Sequence, residues 1–338
     1  MKALKTKSHY AMESGVSPIL ALGTLHGAFG GAGTSWVGGH PGFNAAITDT
    51  AAGNYTVNLP INFALALITV HAQSMTATAR CSVILSAGPA VGGIATTNVQ
   101  VLCYDNAGGL LNADVMLVAF STAQMAEKDS PVVAMGHIHE AALAGTWQGA
   151  APGFNPVIVN GGGAGDYTIT CYAQSNAAQL NLLVTPATAD RNVSVVRTDV
   201  AGVGTTFRIV SRNNAGAVAE SDLYVTVVDT MPPLGRNPIV AGGALNEAGG
   251  GPGTWINVSH HGFADAPITR NAAGDYTVTM GADNTTQIVN VFGTTGAAGA
   301  DDYCIITKPT ATTVRAVCTT TVPGAVEPGI LVLTAIII

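Results

Sequence analysis

Three stretches of this chain repeat one another. SPILALGTLHGAFGGAGTSWVGGHPGFNAAITDTAAGNYTVNLP, from Ser17, lines up with SPVVAMGHIHEAALAGTWQGAAPGFNPVIVNGGGAGDYTITCY, from Ser130. Both align with NPIVAGGALNEAGGGPGTWINVSHHGFADAPITRNAAGDYTVTMG, from Asn237. The landmarks are a proline (Pro18, Pro131, Pro238), the three tryptophans (Trp36, Trp147, Trp255) and a Gly-Phe pair ending in Phe43, Phe154 or Phe263. A Gly-Asn/Asp-Tyr-Thr run follows, carrying Tyr55, Tyr167 or Tyr276. The tyrosines recur about every 110 residues, too far apart for a solenoid repeat and close to the size of a whole domain. The chain therefore reads as an arm (1–16) and three domains: 17–122, 130–229 and a divergent 237–338. The linkers are short, and Pro232-Pro233 makes the second one stiff.

Within a repeat the pattern is that of β-structure. Tyr276, Val278 and Met280 alternate with Thr277 and Thr279, the two-residue period of a half-buried strand. Asn271 to Asp275 reads as the turn before it, and the Asn-Ala-Gly of 106–108 and 214–216 reads as a tight hairpin. Further strands are expected at Gln287–Phe292, Tyr303–Thr307, Asp114–Phe120, Asp222–Val228 and Ile330–Ile338. The last of these is strongly apolar but only nine residues long, and its exposure would create an aggregating edge. Short strands punctuated by turns predict an all-β chain of three tandem antiparallel β-sandwiches, jelly-roll-like in character. The stretch 123–128 reads as linker, because it lacks an apolar face and Pro131 follows.

Composition narrows the function. Charged residues make up only 10%, and 13 basic against 20 acidic residues give a net charge of −7. A mildly acidic chain without a basic stripe is a poor partner for nucleic acid. The N-terminus carries Lys2, Lys5, Lys7 and Tyr10 but no apolar signal core, and no apolar stretch is long enough to span a bilayer.

Catalytic signatures are missing from the sequence. It contains no G-x-S-x-G and no G-x-x-x-x-G-K-[ST], and its glycine runs read as turns. His137-x-His139 and His260-His261 lack the three or four convergent ligands of a metal site. Asp166, Asp275 and Asn54 occupy matching positions and read as backbone-capping turn residues. The five cysteines (Cys81, Cys103, Cys171, Cys304, Cys318) are odd in number and contain no C-x-x-C, so they read as buried reduced thiols. Against that reading, Cys304 and Cys318 would face each other in a symmetric hairpin, and Cys81 and Cys103 hold the same places in the first repeat. The tryptophans read as core or interface anchors together with the Phe and Tyr landmarks, with a carbohydrate-stacking platform as the alternative. No enzyme and no cofactor is expected.

The Gly-Asn/Asp-Tyr-Thr strand, followed by the Asn-Ala-Gly turn and a closing strand that begins at Asp114 or Asp222, resembles the repeated β-sandwich modules of tailed-phage virion proteins. These are head decoration or cement proteins, head fibres and tail fibres, and some such modules look like the jelly roll of the complement globular head and tumour-necrosis-factor family. The resemblance implies a structural protein on the virion surface, assembled in the host cytoplasm, with the major capsid protein or another virion protein as partner. It also implies threefold association, either as a homotrimer or as an intrachain pseudo-trimer. Capsid decoration is the first expectation, with the 1–16 arm (Lys2, Lys5, Lys7, Tyr10) as partner contact. The alternative is a receptor-binding fibre or adhesin module that recognises a host glycan or protein.

Overall fold

The computed structural model describes residues 19–28, 33–37, 39–61, 68–90, 95–121, 130–141, 144–161, 163–172, 180–200, 204–229, 239–246, 254–255, 263, 268–280, 289–295, 302–308, 310, 312–320 and 330–337. The arm, with Lys2, Lys5, Lys7 and Tyr10, lies outside these residues, as do 122–129, most of the second linker and His260-His261.

The described chain is all-β. The first repeat forms β1 (Ile19–His26), β2 (Ser35–Trp36), β3 (Ile47–Ala51), β4 (Asn54–Leu59), β5 (Ile68–Ser74), β6 (Arg80–Ala87), β7 (Thr97–Tyr104) and β8 (Val115–Ser121). The second forms β9 (Val132–Ala141), β10 (Ala144–Trp147), β11 (Val159–Asn160), β12 (Asp166–Cys171), β13 (Leu180–Pro186), β14 (Asn192–Val200), β15 (Gly204–Arg212) and β16 (Leu223–Asp229). The third forms β17 (Ile239–Asn246), β18 (Thr254–Trp255), β19 (Thr269–Ala272), β20 (Asp275–Thr279), β21 (Val289–Thr295), β22 (Asp302–Thr307), β23 (Thr313–Thr320) and β24 (Ile330–Ile337).

Each set of eight makes two four-stranded antiparallel sheets in one order. The sheets are β2-β1-β8-β5 with β3-β4-β7-β6, then β10-β9-β16-β13 with β11-β12-β15-β14, then β18-β17-β24-β21 with β19-β20-β23-β22. The two sheets of a set share a core. Tyr55, Val57 and Leu59 of β4 pack with Val99 and Val101 of β7 against Leu25 of β1 and Val115 and Leu117 of β8. This is a β-sandwich, held together because the inner strands of each sheet offer an apolar face to the other sheet.

Local sequence explains the joints. Gly53, Gly165 and Gly274 adopt φ of +68°, +84° and +69°, which lets the chain reverse from β3 into β4 and at its two counterparts. A further reversal departs from the sequence reading. The Asn-Ala-Gly segments do not join two paired strands. Asp105 accepts from the amides of Ala107 and Gly109, and Asn213 does the same for Ala215 and Ala217. Each turn closes only one isolated bridge (Tyr104 with Leu110, Arg212 with Val218), after which the chain crosses to the other sheet. The local Asx chemistry is that of a turn, but the next strand's pairing partner is set by the core.

The cysteines also require correction. Cys81 is bonded to Cys103 and Cys304 to Cys318, while Cys171 is free and buried. Each bonded pair sits directly opposite on neighbouring antiparallel strands, with Cα atoms 4.2 and 4.0 Å apart. That closeness belongs to a cross-strand pair whose side chains approach on one face. In the second repeat the same pair is Val193 opposite Ser211. The odd count arises because Cys171 is simply a core residue of β12 at the position of Leu59 in β4.

Candidate functional site

The repeated aromatic landmarks come together within each sandwich. Tyr55, Tyr167 and Tyr276 are fully buried, and Phe43, Phe154 and Phe263 nearly so. The Tyr55 hydroxyl accepts from the amide of Ala113, and the Tyr167 hydroxyl donates to the carbonyl of Ser221. Each therefore ties one sheet to the entry of the closing strand of the other. Trp36, Trp147 and Trp255 are half-buried and stack on the phenylalanines with ring centroids 5.3, 5.0 and 5.2 Å apart. Trp36 and Trp147 donate their indole N–H to the carbonyls of Asn44 and Asn155. They lie flat on their sheets because a glycine is beneath each: a Cβ on Gly23 or Gly136 would come within 2.7 Å of the indole ring. The tryptophans are thus neither fully enclosed nor free-standing platforms.

Two polar positions also recur. Asp166 and Asp275 are not backbone caps. They accept paired hydrogen bonds from Arg208 and Arg315 on the adjacent strand. That partnership holds the Asp275 carboxyl below the usual carboxylate range. In the first repeat Asn54 meets Gln100 at the same register, so a neutral amide pair replaces the ion pair. His26 bonds Asp114, and His139 bonds Asp222 at the same place in the second repeat. His137 packs on the ring of Tyr224. No three His, Cys, Asp or Glu side chains converge among the described residues.

The residues that join the three repeats to one another were not read from the sequence. β5, β13 and β21 hold the same edge position in their sheets and contact one another pairwise. Their second residues, Thr69, Asn181 and Asn290, are buried and polar. Each reaches the central strand of the next repeat. Thr69 bonds the hydroxyl of Thr226 on β16 at 2.7 Å. Asn181 donates to the carbonyl of Leu333 and the hydroxyl of Thr334 on β24, both at 2.9 Å. Asn290 donates to the carbonyl of Leu117 on β8 at 3.3 Å and to that of Gly23 at 2.9 Å. The order one to two, two to three, three to one closes a ring.

Two residues further along, His71, Leu183 and Phe292 form the next layer. His71 has Thr185 and Thr226 hydroxyls at 3.3 and 2.8 Å from its two ring nitrogens. Its complete burial pushes its pKa down to about 3, so it is neutral. Ile19, Phe120, Val132, Leu183, Val228 and Phe292 make the surrounding apolar junction, drawn from all three repeats.

At the end of the junction marked by Gln73 lies a partly open cavity of about 60 Å³. Arg80, Asn192 and Tyr303 line it from equivalent positions of the three repeats. A polar residue alternating with apolar ones along β5 and β13 was the only sequence signal for the ring, and such alternation ordinarily marks a solvent face.

Comparison with family models, with curated proteins and with solved structures gives no match.

Proposed function

We propose that this is a structural protein of a tailed-phage virion, a decoration or cement protein seated on a threefold or quasi-threefold position of the head, where it clamps neighbouring shell subunits. The closed ring of hydrogen bonds running from each repeat to the next carries this reading. It makes one chain the equivalent of a trimer and sets three related but non-identical sandwiches about a common centre. A body of that form suits a binding site made of three like subunits. The eight-strand, two-sheet order shared by the repeats supports reading each as a jelly-roll-like domain. The interactions at the repeated landmarks are packing, capping and pairing, and no residue is assigned a catalytic role or a cofactor. The 1–16 arm is the proposed contact with the major capsid protein.

Adding the purified protein to undecorated heads and imaging them tests the proposal. Density for one chain at each threefold or quasi-threefold position is the expected result, lost when residues 1–16 are deleted. Binding to host cells with no binding to shells would instead make the protein a receptor-recognising adhesin. In either case light scattering should give the mass of a single chain at the concentrations used.

A further inference from the structure

We infer that the two disulfides are a redox-set lock: the chain folds with its thiols reduced, and later oxidation pins two outer-sheet edge strands where they meet the neighbouring repeats. The second repeat indicates that the fold does not need them. It has Val193 opposite Ser211 where the others have Cys81–Cys103 and Cys304–Cys318, yet its strand order is the same. The backbone at this place is also the same. The amides of Cys103, Ser211 and Cys318 donate to the carbonyls of Gly53, Gly165 and Gly274, each at 2.8 Å. Sheet register therefore sets each pair of thiols side by side before any bond exists. What the second repeat has instead is a longer hairpin. β14 and β15 pair at nine positions, β6 and β7 at eight, and β22 and β23 at six.

Both bonds sit beside a joint. β6 contacts β13 and β14 of the second repeat, and β22 contacts β5 of the first and β14 of the second. The residue before each edge-strand cysteine reaches across to another repeat. Arg80 donates to Asp190 at 3.1 Å, and the Tyr303 hydroxyl donates to Asn106 at 2.7 Å. The Cys304 carbonyl itself accepts from Gln73 at 2.7 Å, and Gln73 accepts from the Gly293 amide at 3.1 Å. The first and third repeats are also the pair that no linker joins, so noncovalent contacts alone hold them together.

Each bond forms by exchange with a small external disulfide such as oxidised glutathione. One cysteine thiolate attacks it and releases one glutathione, and the second cysteine attacks the mixed disulfide and releases another. Two protein thiols thereby give up two electrons and two protons, and one oxidised glutathione becomes two reduced ones. Cys81 and Cys304 are 9% and 7% exposed, against 0% and 2% for Cys103 and Cys318. Exchange therefore starts at the edge strand, as that strand frays. A bonded strand frays less, which also shields the bond from reductants. The inference is independent of where the protein acts.

The test uses the full chain, prepared in reductant throughout and then treated with oxidised glutathione. Alkylation after denaturation should count five thiols before treatment and one, Cys171, after it. Both forms should give the same circular dichroism spectrum and the mass of one chain. The bonds close loops of 22 and 14 residues. Hydrogen exchange in β6, in β22 and at Gly293 should therefore be about ten- to a hundredfold slower in the oxidised form. Cys304→Val with Cys318→Ser, the pair of the second repeat, should fold and keep fast exchange in β22 under oxidant while β6 slows. A reduced chain that is unfolded would make the bonds a scaffold and overturn the lock. Thiols that resist oxidised glutathione, or exchange unchanged by oxidation, would overturn it equally.

Discussion

The two sheets of a single sandwich have different surroundings. In the first repeat β8, at the centre of its sheet, is buried at every position, and β5 beside it is buried at all but one. In the opposite sheet β4 alternates between half-buried and buried, and edge strand β3 between half-buried and exposed. Both sheets contribute one face to the same sandwich core. The difference lies in the other face, which meets solvent along β3 and β4 and meets the other repeats along β5 and β8. An identical strand plan therefore serves as outer wall and as joint, and the side chains on the second face decide which.

The largest break in that contrast should come from the joint. Phe120 is fully buried, contacts the His71 ring edge-on and belongs to the junction cluster. Phe120→Ala should cost about 3–5 kcal/mol in denaturant unfolding. Val159→Ala on the exposed edge strand β11 should stay within about 0.5 kcal/mol. Similar losses at the two sites would mean that the junction does not contribute as a core.

The next effect depends on pH. The folded pKa of His71 lies near 3, below its ordinary 6.5, so the unfolded chain binds the extra proton between those values. Stability should therefore fall as pH drops from 6.5 towards 3, by up to about 1.4 kcal/mol per unit and by about 2–3 kcal/mol at pH 4.5. His71→Leu copies the residue that the second repeat already places in this layer and should remove that slope. Burial also lowers the pKa of His137, which adds a slope of the same sign. The difference between wild type and variant isolates His71, and identical pH profiles would refute its role.

The smallest effect belongs to the solvent-facing sheet. The Arg315 side chain is about half exposed, at 48%. Replacing Asp275 and Arg315 together by Asn and Gln, the pair found in the first repeat, should cost under about 1 kcal/mol at pH 7. It should also flatten the loss of stability below pH 4, where protonation of Asp275 breaks the pair. A larger cost would place the ion pair among the main supports of the sheet.

These contrasts also mark where the sequence was readable. Tyr-Thr-Val alternation, the positive-φ glycines and the matched aromatics announce the strands and the repeat, because they follow from local periodicity and backbone sterics. The strongly apolar run from Ile330 to Ile338 was legible as a closing strand, and β24 lies inside its sheet, paired on both sides. The joint was harder to see. Thr69, His71 and Gln73 present a polar face, and period two reports that a face is polar without saying what it meets. Asn181 and Asn290 are polar because they bond carbonyls of another repeat, a relation between positions more than 150 residues apart. Pairing of Cys304 with Cys318 was visible as register but was outweighed by the odd count, which Cys171 explains. The Asn-Ala-Gly turn misled for a related reason, since local turn chemistry does not choose the sheet that the next strand joins.

The layer of His71, Leu183 and Phe292 has one more consequence. A true homotrimer must place the same side chain three times around its axis, so a bulky ring there collides with its own copies and a small one leaves a void. Joining the three units in one polypeptide lifts that restriction. An imidazole, an isobutyl group and a phenyl ring can share one level, each free to mutate alone, and the centre can be filled by combinations that no symmetric assembly can reach. The same linkage removes dissociation on dilution, because the three units remain covalently at hand for one another.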